Sequence, residues 1–65
     1  ENHLGKKIKS LRAKHGLSQE DLARKADIAY TTLIKIESGA TKDPSISRIG
    51  KIAKALNVSL DTLIQ

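Results

Sequence analysis

The side chains best suited to contact another molecule lie on one side of a short helix predicted over residues 29–37. At 100° per residue, the side chains pointing away from the apolar stripe are Thr31, Ile34, Lys35 and Ser38, with Tyr30 and Thr32 on the flanks. This side combines hydroxyl groups with one ammonium group and carries no carboxylate. A merely solvated helix usually carries alternating charges and long side chains. The pattern therefore favours approach to a polyanion and hydrogen bonding to base edges in a major groove.

This helix is the second of two that a tight turn joins between residues 17 and 39. Ser18 is a favourable N-cap for the first of them, and Asp21 three residues later completes a capping box. The apolar helical pattern breaks at residues 27–28, resumes, and is ended by Gly39. So short a link forces two helices to cross steeply. We therefore predict a helix-turn-helix, with its core at about residues 18–38.

The first predicted helix runs from about Leu4 to His15, and Gly16 stops it. His15 lies at the end of its apolar stripe, where we expect a half-buried imidazole favoured by the helix dipole. Arg12 lies at the edge of the same stripe, and Glu37 borders the apolar face of the second helix of the helix-turn-helix in the same way. We therefore expect a structural ion pair between Arg12 and Glu37.

Two more helices complete the prediction. The fourth begins at Asp43 and Pro44, with Pro in its first turn, and ends near Leu56. Ser59 caps a last short helix. The chain is thus predicted to be all-α, a compact single domain of five helices over residues 1–65. The side chains expected to face its core include Leu4, Ile8, Leu11, Leu22, Ala23, Ala26, Ala29, Leu33, Ile36, Ile46, Ile49, Ile52, Ala53 and Leu56.

Composition narrows the classes of function. The 65 residues include no Cys and two His, neither of which has a paired carboxylate beside it, so we expect no metal site. No HExxH motif, Gly-rich phosphate loop or Cys nucleophile occurs, and we expect neither an enzyme nor a cofactor. No apolar run is long enough to span a membrane, and no secretory signal is present. Neither a membrane partner nor a small-molecule site is expected.

The net charge of +5 lies outside the central segment. Residues 1–18 carry five bases and one acid, residues 19–44 carry four bases and five acids, and residues 45–65 carry three bases and one acid. Basic flanks can contact phosphates and supply affinity while the central helix discriminates between sequences. For any single Lys, a solubilising role is the simpler explanation.

Two blocks of residues follow a known pattern. The first block lies in the predicted helix-turn-helix and consists of Leu17, Ser18, Gln19, Leu22, Ala23, Ala26, Ile28, Leu33, Ile36, Glu37 and Gly39. The second block consists of Pro44, Ile46, Ile49, Ile52, Ala53, Ala55, Leu56, Val58, Ser59, Leu60 and Leu63. Through these blocks almost the whole chain resembles the Cro and phage-repressor (XRE-type) family of helix-turn-helix DNA-binding proteins.

Two positions depart from the pattern of that family. Asp27 stands where Gly is usual in the turn, and Ala29 stands where Ser or Thr usually caps the recognition helix. Asp tolerates the left-handed conformation better than most residues, so we expect the turn to survive. Losing the cap costs about 1 kcal/mol, which frays the start of the helix without abolishing the fold.

The resemblance implies a transcriptional regulator, specifically a repressor, in the cytoplasm of a prokaryotic or phage system. It implies a homodimer on a roughly palindromic operator of double-stranded DNA, with one recognition helix, about residues 29–37, in the major groove of each half-site. The two grooves are about 34 Å apart. The implied base-reading residues are Tyr30, Thr31, Thr32, Ile34 and Lys35. The implied contacts to the DNA backbone are Ser18, Gln19, Ser38, Thr41 and Lys42, and Gln19 also supports the recognition helix.

Surface apolar side chains give two further expectations. Ile34 lies between Thr31 and Lys35 on the outward side, where its natural DNA partner is the C5-methyl group of thymine. The last short helix cannot bury all of its apolar side chains within the monomer. The expected dimer surface therefore comprises Val58, Leu60 and Ile64.

Two other functions stay open at this point. One is a protein-interaction module, derived from a helix-turn-helix but without DNA binding; the net charge of −1 over residues 19–44 and an exposed Ile34 support it. The other is the antitoxin of a toxin–antitoxin pair, which still binds DNA and differs in having a protein partner. A low-salt binding assay with mixed duplex DNA separates the first alternative from a DNA-binding regulator.

Overall fold

Five α-helices make up the secondary structure of residues 3–41 and 43–65, which are the residues that the computed structural model describes. They are α1 (His3–Lys14), α2 (Gln19–Ala26), α3 (Tyr30–Ser38), α4 (Ile46–Ala55) and α5 (Leu60–Ile64). No β-strand occurs in this part of the chain. The prediction of an all-α, five-helix fold with the helix-turn-helix as helices 2 and 3 is confirmed.

The helices surround an aliphatic core. α3 packs against α1 and α2, whereas α4 packs against α2 and α5, and α1 also contacts α5. The large hydrophobic side chains that are at most 1% exposed are Ile8, Leu22, Leu33, Ile36, Ile52, Leu56 and Leu63. Each such side chain contributes about 1.5–3 kcal/mol when it leaves water. Because every helix supplies at least one buried residue, the position of α3 is fixed by the common core.

α2 begins with the predicted capping box. The hydroxyl oxygen of Ser18 accepts a hydrogen bond from the Asp21 N–H at 3.0 Å, and Oδ2 of Asp21 accepts one from the Ser18 N–H at 3.2 Å. The bond from the Ser18 main chain, followed by the bond with its hydroxyl, lowers the pKa of the Asp21 carboxyl. The ionised carboxylate thus belongs to the cap, and α2 starts at a defined residue.

The turn between α2 and α3 accommodates Asp27 in place of glycine. Asp27 adopts the left-handed conformation, with φ 59° and ψ 46°. Its N–H bonds to the carbonyl of Arg24 at 3.2 Å, and the N–H of Ile28 bonds to the carbonyl of Ala23 at 3.0 Å. These bonds satisfy carbonyl groups at the end of α2. The expectation that Asp preserves this turn is confirmed.

Two expectations are wrong, namely that His15 is half-buried and that Ala29 faces the core. α1 ends at Lys14, and His15 lies exposed in the turn that Gly16 closes at φ 67°. Ala29 is the N-cap of α3, has extended backbone angles of φ −66° and ψ 140°, and is also exposed. Both residues lie outside a regular helix, so the 100° spacing does not describe where their side chains point. Ala29 makes no side-chain cap hydrogen bond, as its replacement of Ser or Thr implies.

The predicted start of the fourth helix is also wrong. Ser45, rather than Asp43, is the N-cap of α4, and its hydroxyl oxygen accepts a hydrogen bond from the Arg48 N–H at 3.2 Å. The hydroxyl of Ser45 supplies the cap, so Pro44 precedes the helix and does not lie in its first turn. Ile46 becomes the first residue of α4 and is 61% exposed, so it does not belong to the predicted core stripe.

The connection from α4 to α5 follows the prediction. Leu56 is the C-cap of α4, and Asn57 adopts a left-handed conformation with φ 58°. The hydroxyl oxygen of Ser59 accepts a hydrogen bond from the Thr62 N–H at 3.2 Å and starts α5. The short last helix is therefore held at its beginning by its cap and in its body by the buried Leu63.

Candidate nucleic-acid interface

α3 presents two chemically distinct faces. Its inward face consists of Leu33, Ile36 and Glu37, which are 0–2% exposed. Its exposed residues are Tyr30, Thr31, Lys35 and Ser38, while Thr32 and Ile34 are half-buried. The outward face therefore offers hydroxyl groups and one ammonium group to solvent. Ile34 is less accessible than the sequence pattern indicates.

The only acidic residue of α3, Glu37, faces inward. Its Oε2 lies 2.9 Å from Nε of Arg12, and its Oε1 accepts hydrogen bonds from Nη2 of Arg12 at 3.2 Å and Nε2 of Gln19 at 3.0 Å. Nη1 of Arg12 donates to the carbonyl of Leu17 at 2.9 Å. The expected ion pair between Arg12 and Glu37 is present. Together these charge-assisted bonds tie α3 to α1 and to the start of α2.

Burial of this ion pair sets the charge of the outward face. The side chain of Glu37 is 1% exposed and that of Arg12 is 20% exposed. A carboxylate on the outer surface of α3 would repel a polyanion, and here it is enclosed and neutralised. Lys35 is consequently the only charged side chain that α3 turns to solvent.

The start of α2 carries two of the expected contacts to a DNA backbone. Ser18 is exposed and Gln19 is half-buried. The amide of Gln19 has two N–H donors, one of which is directed at Glu37. Gln19 can therefore support α3 and still donate a second hydrogen bond outward. The expectation that Gln19 supports the recognition helix agrees with this contact.

The residues after α3 form a local hydrogen-bonded turn. The hydroxyl of Ser38 donates to the carbonyl of Lys35 at 3.2 Å and accepts from the Ala40 N–H at 3.3 Å, and the Thr41 N–H bonds to the same carbonyl at 3.2 Å. A hydroxyl has one donor, so Ser38 must rotate away from Lys35 to donate to a phosphate. Thr41 is half-buried, and Lys42 lies outside the described residues.

Basic side chains are exposed on the helices beside the helix-turn-helix. The exposed bases of α1 and α4 are Lys6, Lys9, Lys14, Arg48, Lys51 and Lys54. α1 packs against α3, and α4 packs against α2. The positive flanks seen in the sequence are therefore solvent-facing charges on the neighbours of α2 and α3.

The expected dimer surface is narrower than the sequence indicates. Val58 and Leu60 are half-buried and pack against the core of their own chain. Ile64 is 50% exposed and is the only one of the three that protrudes. An apolar contact between two copies at this end of the molecule would therefore centre on Ile64.

Residues 3–41 and 43–65 contain neither a candidate metal site nor a candidate membrane-crossing helix. Within these ranges no group of three His, Cys, Asp or Glu residues is placed to hold a metal ion. None of the five helices found there has both the length and the apolarity that a membrane crossing requires. His3 and His15 are both exposed, at or just beyond opposite ends of α1.

The acceptors of two hydrogen bonds in this region, those donated by Gln19 and by Nη1 of Arg12, were not predicted. The contact between Gln19 and Glu37 joins residues 18 apart, and the bond from Arg12 to the Leu17 carbonyl crosses the turn after α1. No local sequence pattern predicts either of these hydrogen bonds. A general rule could have indicated a further donor to Glu37, because a buried carboxylate has more acceptor positions than one arginine fills.

The sequence profile of the helix-turn-helix family matches residues 8–63. This chain belongs to the XRE-type helix-turn-helix family. An uncharacterised HTH-type transcriptional regulator of Methanocaldococcus jannaschii, MJ0272, is 44% identical over 57 residues, which cover 88% of this chain and 85% of the relative. The transcriptional regulator SinR of Bacillus subtilis is 38% identical over 61 residues. That match covers 94% of this chain but spans only 55% of SinR.

Solved structures of SinR share the fold of this family member. The N-terminal DNA-binding domain of SinR from Bacillus subtilis superposes with a TM-score of 0.95 at 35% identity, covering 100% of this chain and 94% of that one. SinR in complex with DNA superposes with a TM-score of 0.91 at 37% identity, covering 95% of this chain and 98% of that one. The five-helix arrangement is therefore the fold of an HTH-type regulator's DNA-binding domain.

Proposed function

We propose that this chain is a sequence-specific DNA-binding domain that regulates transcription by placing α3 in the major groove of double-stranded DNA. The distribution of charge on α3 carries the proposal. The carboxylate of Glu37 is buried against Arg12 and Gln19, while Lys35 and a row of hydroxyl groups face outward. A major groove admits an α-helix, and its base edges accept hydrogen bonds from such groups.

Within this proposal the outward residues of α3 read bases and the surrounding residues bind phosphates. The base-reading set is Tyr30, Thr31, Thr32, Ile34 and Lys35. Lys35 has the most discriminating chemistry, because an ammonium group can donate to O6 and N7 of guanine. Half-buried Ile34 can offer only part of its side chain to a thymine methyl group. The phosphate-binding set is Ser18, Gln19, Ser38, Thr41 and Lys42.

The family relatives support the wider biological role. SinR has been solved in complex with DNA, and both SinR and MJ0272 are named as transcriptional regulators. We assign to this chain a non-catalytic role as a repressor, acting as a homodimer on a roughly palindromic operator in a prokaryotic cytoplasm. In this assignment residues 1–65 act as one DNA-binding domain.

Selection of binding sites from a pool of random duplexes tests this proposal. We expect enrichment of two inverted half-sites whose centres lie about one helical turn, roughly 10 base pairs, apart. A Lys35→Ala variant run in parallel should enrich a site with one relaxed position. If the wild-type chain retains no duplex at about 50 mM salt, the DNA-binding proposal fails and the protein-interaction alternative gains.

A further inference from the structure

A groove of about 420 Å³ lies between α2 and α4. Its lining residues are Lys25, Ala26, Asp27, Lys51, Lys54 and Ala55. The volume falls within the range of about 300–1,000 Å³ that is usual for ligand sites. None of the lining residues belongs to α3, whereas Lys51 and Lys54 belong to the basic flank on α4.

Methyl groups form the floor of this groove and ammonium groups form its rim. Ala26 and Ala55 are 4% and 8% exposed, whereas all three lysines are exposed. None of the lysines forms an ion pair with any residue in the described ranges 3–41 and 43–65. Asp27 is the only acid in the lining, which leaves three positive charges against one negative charge.

Interaction with helix dipoles explains the positions of two of the three lysines on this rim. Lys25 and Lys54 lie in the last turns of α2 and α4, where a positive charge stabilises the helix end. Lys51 lies before the last turn of α4 and has no such role. Three like charges around one small groove repel one another, and Asp27 and the two helix ends offset only part of this repulsion, so an anionic ligand would relieve the rest.

We propose that this groove binds an acidic segment of a partner protein, with an aliphatic side chain on the alanine floor and carboxylates paired with the lysines. The floor favours a peptide over a bare phosphate, because Ala26 and Ala55 present methyl groups and no hydrogen-bond donor side chain. The aliphatic stems of the lysines extend this apolar surface below their charged ends. Since α3 contributes nothing to the groove, this proposal does not depend on the DNA-binding function.

Amide chemical-shift mapping of the 15N-labelled chain tests the proposal. The probe is an N-acetylated, C-amidated peptide with one leucine flanked on each side by two glutamates (EELEE), and the matched control peptide has glutamines in place of the glutamates (QQLQQ). The test variant is Lys51→Gln with Lys54→Gln. The control variant is Lys9→Gln with Lys14→Gln, which removes the same charge from exposed positions of α1. Gln is a good helix former, so both variants should keep the wild-type circular dichroism.

At low salt and millimolar peptide, we expect EELEE to shift amides around the groove more than QQLQQ does. Its affinity should fall about threefold or more in the Lys51/Lys54 variant and stay within twofold of wild type in the Lys9/Lys14 variant. Absence of saturable shifts, shifts spread over every basic surface, or equal losses in both variants would overturn the proposal. Stronger shifts of the same amides by inorganic triphosphate than by EELEE would also overturn it, in favour of a phosphate ligand.

Discussion

Lys35 and Glu37 have opposite charges, lie two residues apart, and are placed on opposite faces of α3. The ammonium group of Lys35 is exposed, whereas the side chain of Glu37 is 1% exposed and held by Arg12 and Gln19. Two positions along a helix are 200° apart, so helix geometry itself separates them. As a result the side chain of Lys35 is available to contact DNA, and the side chain of Glu37 holds α3 in place.

Replacing Lys35 with Ala should weaken binding to the selected duplex by about 1–3 kcal/mol and relax the preference at one base position. The reason is the loss of an ammonium donor to a base edge. Fluorescence anisotropy with the selected and the scrambled duplex measures both affinities, and Lys9→Ala is the matched loss of one exposed charge. If Lys35→Ala lowers the two affinities equally, Lys35 contacts only a phosphate.

Removing the partner of a buried carboxylate should cost more than removing a surface ion pair. Arg12→Ala takes the paired guanidinium away from the buried carboxylate of Glu37, and we expect a loss of about 3 kcal/mol in the free energy of unfolding. Arg24→Ala breaks only the exposed pair with Asp21, at 3.8 Å, and should cost less than about 1 kcal/mol. Urea denaturation followed by circular dichroism measures both. Equal, small losses would show that the buried pair does not fix α3.

At the scale of the elements, α2 and α3 start differently. α2 has a complete capping box, whereas α3 begins at Ala29 with no side-chain cap. The backbone of Ala29 already has the extended conformation of an N-cap, and its side chain is exposed. A hydroxyl at this position could therefore be added without moving other atoms.

Ala29→Ser should raise the free energy of unfolding by about 1 kcal/mol, because the new hydroxyl can accept a hydrogen bond from the first turn of α3. For a chain of this size that corresponds to a rise of roughly 4–8 °C in Tm, measurable by calorimetry. Ala13→Ser makes the same change at an exposed position inside α1 and should lower Tm slightly. Similar effects of the two substitutions would mean that position 29 does not act as a cap.

The helices themselves were predictable, since periodicity and caps are local features. The capping box at Ser18, the left-handed Asp27 and the start of α5 at Ser59 all follow from neighbouring residues. Errors arose where the regular helix stops. Ala29 and Ile46 are exposed because one is an N-cap and the other is the first helical residue after a cap that was assigned too early. The spacing of 100° per residue in a regular helix does not describe where side chains point at such positions.

The candidate site was predictable in part. The outward face of α3 and the Arg12–Glu37 pair follow from helical projection of two separate segments. The hydrogen bond from Gln19 to Glu37 and the hydrogen bond from the Ser38 hydroxyl to the Lys35 carbonyl were not predictable, because they depend on how the segments meet in space. The groove between α2 and α4 was not predictable either, because the distance between two packed helices does not follow from the residue pattern of each helix.

At the scale of the whole molecule, two isoleucines protrude from the surface. Ile46 is 61% exposed at the start of α4, and Ile64 is 50% exposed at the end of α5. Val58 and Leu60 pack against the core of their own chain, so an apolar dimer contact near α5 depends on Ile64. A single exposed side chain buries little area, and we expect weak self-association in the absence of DNA.

Replacing Ile64 with Ser should reduce cooperative occupancy of the two half-sites, while binding to a single half-site stays unchanged. Ile46→Ser removes an isoleucine that is exposed to a similar extent at the start of α4 and should leave cooperativity intact. Electrophoretic mobility shifts on one-site and two-site duplexes distinguish the singly and doubly occupied species. Loss of cooperativity with Ile46→Ser and not with Ile64→Ser would place the dimer contact at α4 instead.

The basic flanks and the carboxylate-free outer face of α3 both favour a chain that binds DNA by phosphate contacts and reads it through α3. The most direct measurement is the affinity for the selected and the scrambled duplex between about 50 and 200 mM salt. With roughly four to eight phosphate contacts per dimer, log affinity should fall against log salt with a slope of about −4 to −7, and the selected duplex should remain the tighter ligand throughout. A slope near zero, or equal affinity for the two duplexes, would contradict this mode of DNA binding.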